Sequence, residues 1–114
     1  MNIRPHKAHY AVAKLGLVAL TQTLAREVGR HGIRVNCLVI GLVAGDLVDR
    51  WIARMAGESG RSPEAIRESL VAASPLGRAV TPDEVASVSV FLASDDASTL
   101  TGQSIAVTAG ALMR

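Results

Sequence analysis

The sequence predicts an α/β unit: a long helix, a buried strand, two inserted helices, a further helix and a last strand, with the two strands parallel. Three observations carry this. Apolar positions over residues 8–30 recur at helical spacing on two arcs at once. A β-branched apolar run, Ile33 to Ile40, lies between Gly32 and Gly41. A strong helix start at Thr81-Pro82-Asp83-Glu84 then separates that run from a second short strand, Gln103 to Val107. A strand, a helix and a parallel strand in that order form a right-handed crossover unit.

Taken in order, Arg4-Pro5-His6-Lys7 reads as an opening loop, because Pro5 disfavours helix at the residue before it. The helix then runs from Ala8 to Arg30. Ala13, Leu17, Leu20, Leu24 and Val28 form one apolar arc, and Ala11, Leu15, Val18, Ala19 and Ala25 form another. Only the strip Gly16, Thr23, Glu27 and Arg30 is left for water, which predicts a helix sandwiched between two partners. Gly29 and Gly32 mark its end. The run Ile33 to Ile40 reads as a buried strand of a parallel sheet. Gly41 to Gly45 is then a loop at the strand's carboxyl end, where ligands bind in open α/β sheets. Helices are expected over 46–56 and 63–73, separated by Gly57-Glu58-Ser59-Gly60-Arg61, with Ser62 as N-cap and Pro63 at the first helical position. Glycine-flanked helices after a ligand-end loop make residues 46–73 a candidate substrate lid; ordinary surface helices are the alternative. Ser74-Pro75-Leu76-Gly77-Arg78 is a turn. The next helix carries Val85, Ala86, Val88, Phe91 and Leu92 and stops near Ser94-Asp95-Asp96.

The chain of 114 residues fits one domain, and 49% of it is hydrophobic against 19% charged. That is a very apolar composition for so short a chain, since small domains expose much of their surface. The excess of hydrophobic residues predicts burial against a partner or membership of a larger unit. A net charge of +2, scattered without a basic run, and aromatic content of 3% argue against a nucleic-acid partner. The single Cys37 excludes an internal disulfide and suits a reducing, cytoplasmic setting; within an apolar run it reads as a buried structural thiol. Residues 1–7 are polar and basic and do not read as a secretory signal, and the uncharged run Ala97 to Met113 is too rich in Thr, Ser and Gly for a membrane span. His6, His9 and His31 share no helical face and no metal-ligand spacing, so no metal site is expected.

The chemistry centres on Tyr10 and Lys14, which stand one turn apart on the same helix face. A phenol with a pKa of about 10 is a poor proton donor or base at neutral pH, and a neighbouring ammonium favours the phenolate. The pair is thereby suited to general acid/base work. Alone the spacing is common, and a half-buried Tyr beside a solvated Lys would show it too.

The downstream residues give the pair its context. Tyr10-x-x-x-Lys14 opens the long helix, with Leu20-Thr21 and Leu24-Ala25-x-Glu27 further along. Gly32-Ile33-Arg34-Val35-Asn36 begins the strand, and Gly41-x-Val43 comes after it. Then come Pro75-Leu76-Gly77-Arg78, Pro82-x-Glu84-Val85-Ala86, Phe91-Leu92-Ala93-Ser94 and Thr101-Gly102-Gln103. In this order and spacing the chain resembles the carboxyl-terminal half of a short-chain dehydrogenase/reductase, a Rossmann-like doubly wound parallel sheet. The resemblance covers nearly everything after His9.

The resemblance implies that Tyr10 is the catalytic acid/base and that Lys14 tunes it and binds the nicotinamide ribose of NAD or NADP. It also implies that the loop Ile40, Gly41, Val43 faces the nicotinamide ring. Trp51, Ile52 and Met55 suggest an apolar pocket wall for a small carbonyl or alcohol substrate. The chain departs from the family in having Ile40-Gly41 for Pro-Gly, Gly45 for a Thr that would meet the cofactor's carboxamide, and Val107-Thr108-Ala109-Gly110 for Val-Asp-Gly-Gly. The family's Gly-rich nucleotide-binding turn has no counterpart here, for Gly57-Glu58-Ser59-Gly60 comes after a helix and reads as a loop. Three functions stay open. One is an oxidoreductase completed by a nucleotide-binding half. Another is an inactive family fragment that associates through its long helix and last helix–strand unit, as a homo-oligomer would. The third is a small helical binding module. These 114 residues alone are not expected to bind the cofactor.

Overall fold

The computed structural model describes residues 7–112, so the opening loop expected at Arg4-Pro5-His6 lies outside the described residues. The elements are α1 (Ala8–Val28), β1 (Cys37–Ile40), α2 (Asp46–Ser59), α3 (Pro63–Val71), α4 (Pro82–Ala93) and β2 (Ser104–Val107). Short 3-10 turns, Gly29–His31 and Asp95–Ala97, come after α1 and α4. The strands pair as one sheet, and the register is parallel. By contacts the chain divides into two units. One holds the described residues up to Val39 with Ser89–Ile105; the other holds Ile40–Val88 with the described residues from Ala106.

In the first unit α1 buries Ala11, Thr21 and Ala25, small side chains that allow close approach; Gly102 lies 3.5 Å from the Ala25 Cβ by the position its own Cβ would take. The expectation of a helix covered on both apolar arcs is not met. Leu17 and Leu20 on one arc and Leu15 on the other are 48–51% exposed, and the described residues cover neither arc completely. The helix closes through the 3-10 turn into Gly32, whose φ of 73° is a left-handed conformation that favours glycine.

The strand is shorter than the sequence suggests, beginning at Cys37 and not at Ile33. Residues 34–36 are held largely by side chains. The Val35 N–H donates to Thr101 Oγ1 (3.1 Å), Asn36 Nδ2 to the Leu100 carbonyl (2.8 Å), and the Gln103 N–H to Asn36 Oδ1 (3.1 Å). Arg34 donates to the carbonyls of Leu92 (2.6 Å) and Ser94 (3.1 Å), filling acceptors at the carboxyl end of α4. The strand is also less buried than expected. Cys37, Leu38 and Val39 are half-buried and Ile40 is exposed, since a two-stranded sheet leaves each strand an open edge. Cys37 is accordingly a half-buried free thiol.

In the second unit α2 and α3 pack as a hairpin that buries Ile52 and Ile66, with Arg67 donating to Asp49 across it at 2.9 Å. The expected break at Gly57 is absent. Helix continues through Gly57, Glu58 and Ser59, and the stop comes at Gly60, whose φ of 68° ends it. Residues 57–59 are thus helix and not loop. Arg54 and Glu58 face one another at 3.9 Å, one turn apart in this last stretch. Helix α3 begins as expected, with Ser62 accepting from the Ala65 N–H and Pro63 first, but ends at Val71, two residues early.

The expected capping box at α4 is present. Thr81 Oγ1 accepts from the Glu84 N–H (3.2 Å), and Glu84 Oε2 accepts from the Thr81 N–H (2.8 Å). After β2, Thr108 is buried and Ala109 has a φ of 51°. The Ala109 carbonyl accepts from Ser74 Oγ (2.7 Å) and the Leu76 N–H (3.3 Å), so the turn after α3 is tied to the residue beyond β2.

Candidate active site

Tyr10 and Lys14 lie in the first turns of α1, a helix with no interior Pro. One turn of separation brings them together, with Lys14 Nζ 5.4 Å from the centre of the Tyr10 ring. That is within the range of a cation–π contact. Tyr10 is 54% exposed. No acidic residue stands in the first turn of this helix to pair with Lys14.

The loop at the end of β1 belongs to the second unit, with Ile40, Gly41 and Val43. Gly41 is required by a close approach: a Cβ there would stand 2.9 Å from the Thr108 Cα and 3.1 Å from its Cβ. The Gly41 N–H donates to the Val107 carbonyl at 3.0 Å. Val43 pairs with Val80 in a parallel bridge. The Val80 N–H donates to Leu42 O (2.9 Å) and the Ala44 N–H donates to Val80 O (2.8 Å). In a parallel bridge the bonds come from the neighbours of one residue, so Val43's own N–H and C=O turn to the opposite side. Neither has a partner among the described residues.

Gly45 has φ 155° and ψ 177°, a region essentially confined to glycine. It caps α2 without a side-chain hydrogen bond, and Asp46 and Asp49 in the first turn complement the helix dipole instead. A threonine could not replace Gly45 on this backbone without strain. Trp51 (38% exposed) and Met55 (half-buried) lie one turn apart on α2, next to the buried Ile52.

The structure therefore brings Tyr10 to Lys14, and Gly41 and Val43 to one loop, within their respective units. It adds residues that the sequence did not single out for the site, Val80 and Thr108, which hold the loop from either side. Their part is played by main chain and by close packing, which residue type does not advertise. Among the described residues no cluster of His, Cys, Asp or Glu could hold a metal ion. No helix among them is long and apolar enough to cross a membrane.

A family profile described as enoyl-(acyl carrier protein) reductase matches residues 1–111. The chain belongs to the short-chain dehydrogenase/reductase family. It is 38% identical over 107 residues to a (3R)-3-hydroxyacyl-CoA dehydrogenase of Mus musculus, a match spanning 94% of this chain and 37% of that protein. It is 38% identical over 109 residues to a 3-oxoacyl-acyl-carrier-protein reductase of Rickettsia felis, spanning 96% of this chain and 41% of that one. Among solved structures, L-sorbose reductase of Gluconobacter frateurii, complexed with NADPH and L-sorbose, superposes with a TM-score of 0.85 at 29% identity. That match covers 100% of this chain and 43% of the reductase. The chain spans about two fifths of the length of the curated relatives it matches.

Proposed function

We propose that the chain supplies the proton-transfer and nicotinamide-facing part of an oxidoreductase that interconverts a carbonyl compound and its secondary alcohol. The observation that carries the reading is the Tyr10–Lys14 pair, in contact and open at the head of α1. Tyr10 Oη gives a proton to the carbonyl oxygen in reduction and takes it from the hydroxyl in oxidation. Lys14, which stands over the Tyr10 ring, would by the family resemblance also meet the nicotinamide ribose.

The loop fits a nicotinamide. Val43 offers one donor and one acceptor from a single residue, which is what a primary carboxamide needs, and Val80 keeps both facing outward. Ile40, Gly41 and Val43 would face the nicotinamide of NAD or NADP; for Tyr10 and Lys14 the cofactor contact is what the family resemblance implies, and the bound cofactor would supply or accept the hydride. The hydroxyl that the family offers at position 45 is replaced here by the main chain of Val43. The 3-hydroxyacyl and 3-oxoacyl groups in the names of the two curated relatives make an acyl thioester the substrate class to try first. Trp51 and Met55 would meet its apolar chain, and the α2–α3 hairpin would close over it.

Label transfer tests this reading. With NADPH or NADH deuterated at the transferable position, the protein in its active form is expected to deliver deuterium to the carbon bearing the new hydroxyl. Unlabelled product, or no oxidation of either cofactor with any 3-oxoacyl thioester, would overturn it.

A second reading, an interaction module, is favoured by the bare apolar surface of α1, where Val12 is 70% exposed beside Leu15, Leu17 and Leu20. In that reading α1 and the α4–β2 unit join a second copy of the chain. Association through these faces is compatible with the oxidoreductase as well.

A further inference from the structure

The motif Pro75-Leu76-Gly77-Arg78 and the start of α4 have no part in the chemistry above, yet they converge on Val80. Arg78 forks onto the Glu84 carboxylate, with Nη1 2.8 Å from Oε2 and Nη2 2.6 Å from Oε1. Arg78 Nη1 also donates to the Ala79 carbonyl at 3.1 Å. The same Glu84 carboxylate accepts the Thr81 N–H at 2.8 Å. Residues 79–81 are therefore tied at both ends by one two-pronged, charge-assisted contact, whose geometry is fixed by two parallel bonds. Val80 lies between those ties and is 4% exposed. Its main chain holds Leu42 O and the Ala44 N–H, the two bonds that turn Val43's own amide groups outward.

We propose that Arg78 and Glu84 are positioning residues for the loop at the end of β1: they fix Val80, and Val80 fixes the direction in which Val43 presents its N–H and C=O. The inference rests on the reading of Val43 as the nicotinamide-facing residue. A half-exposed ion pair of this kind adds little to overall stability, with side chains 49% and 41% exposed here. Its value lies in where it holds the chain. A pair that served only as a helix cap would matter to the first turn of α4 and to nothing across the bridge.

The two roles separate in backbone amide exchange measured by NMR on the 114-residue chain. Arg78→Lys keeps the charge and loses the fork. It is expected to speed exchange at Ala44 and Val80 by about three- to tenfold. The Gly41 amide, bonded to Val107 O, should keep its wild-type rate. Glu84→Gln keeps an acceptor for the Thr81 N–H but loses the charge, and should show the same pattern more weakly. Acceleration confined to the first turn of α4, with Ala44 unmoved, would overturn the proposal. So would a uniform rise that includes Gly41, since that is plain loss of stability. No cofactor takes part in this measurement, so it is independent of the label-transfer result. Failure of label transfer with the Ala44 response intact would remove the cofactor reading and leave the coupling.

Discussion

Gly41 is where a single residue's size decides the geometry of the loop. A side chain there would meet the Thr108 Cα at 2.9 Å, so the neighbour that must give is main chain and not the end of a flexible side chain. Gly41→Ala is expected to cost about 1–3 kcal/mol in urea unfolding, the usual range for overpacking. Thr108→Ala added to it should restore little, because the nearest atom remains. Full recovery in the double variant would show that the Thr108 side chain, not the backbone, sets the approach. Residue type makes Gly41 visible in the sequence, bounding an apolar run, but the reason for it is not. Thr108 is remote in the chain, and nothing in its identity announces a contact. Ala109 is a related case. Its φ of 51° is a conformation that costs a residue with a Cβ about 1 kcal/mol or more, at a place where the family resemblance has glycine.

At the scale of elements, the capping box at α4 is fully legible, because Thr, Pro and Glu at those spacings carry their mechanism with them. The fork from Arg78 is not, although both residues stand in recognised motifs. The Glu84 carboxyl is lowered from 4.5 to about 2, first by the Arg78 side chain and then by the Thr81 N–H. A carboxyl with a depressed folded-state pKa contributes stability above its unfolded value and loses it as pH falls through the folded one. Wild type should therefore exceed Glu84→Gln in thermal midpoint by a constant amount above about pH 5. That margin should shrink between 4.5 and about 2. A margin unchanged down to about pH 2 would show that the charge on Glu84 contributes nothing. Two other elements depart from the sequence reading for identifiable reasons. Gly57 reads as a breaker, but one helical glycine costs only about 1 kcal/mol, which the α2–α3 contact offsets. The strand reads from Ile33 because β-branched residues mark extended chain, whereas Asn36 and Thr101 use their side chains to replace ladder bonds over residues 34–36.

For the whole molecule, the order of elements and the family emerge from a joint pattern in which each piece alone is weak. Coverage of the surface does not, because the apolar pattern foretells burial of α1 on both arcs and the described residues leave leucines exposed on each. The central claim is that Tyr10 moves the proton in a nicotinamide-dependent oxidation–reduction. Tyr10→Phe tests it most directly, since it deletes one oxygen while keeping the ring beneath Lys14 and the helix around it. In the active form of the protein kcat should fall by about 10²–10⁴-fold, with the cofactor's Kd changed by no more than about threefold. Turnover within a few-fold of wild type would contradict the claim.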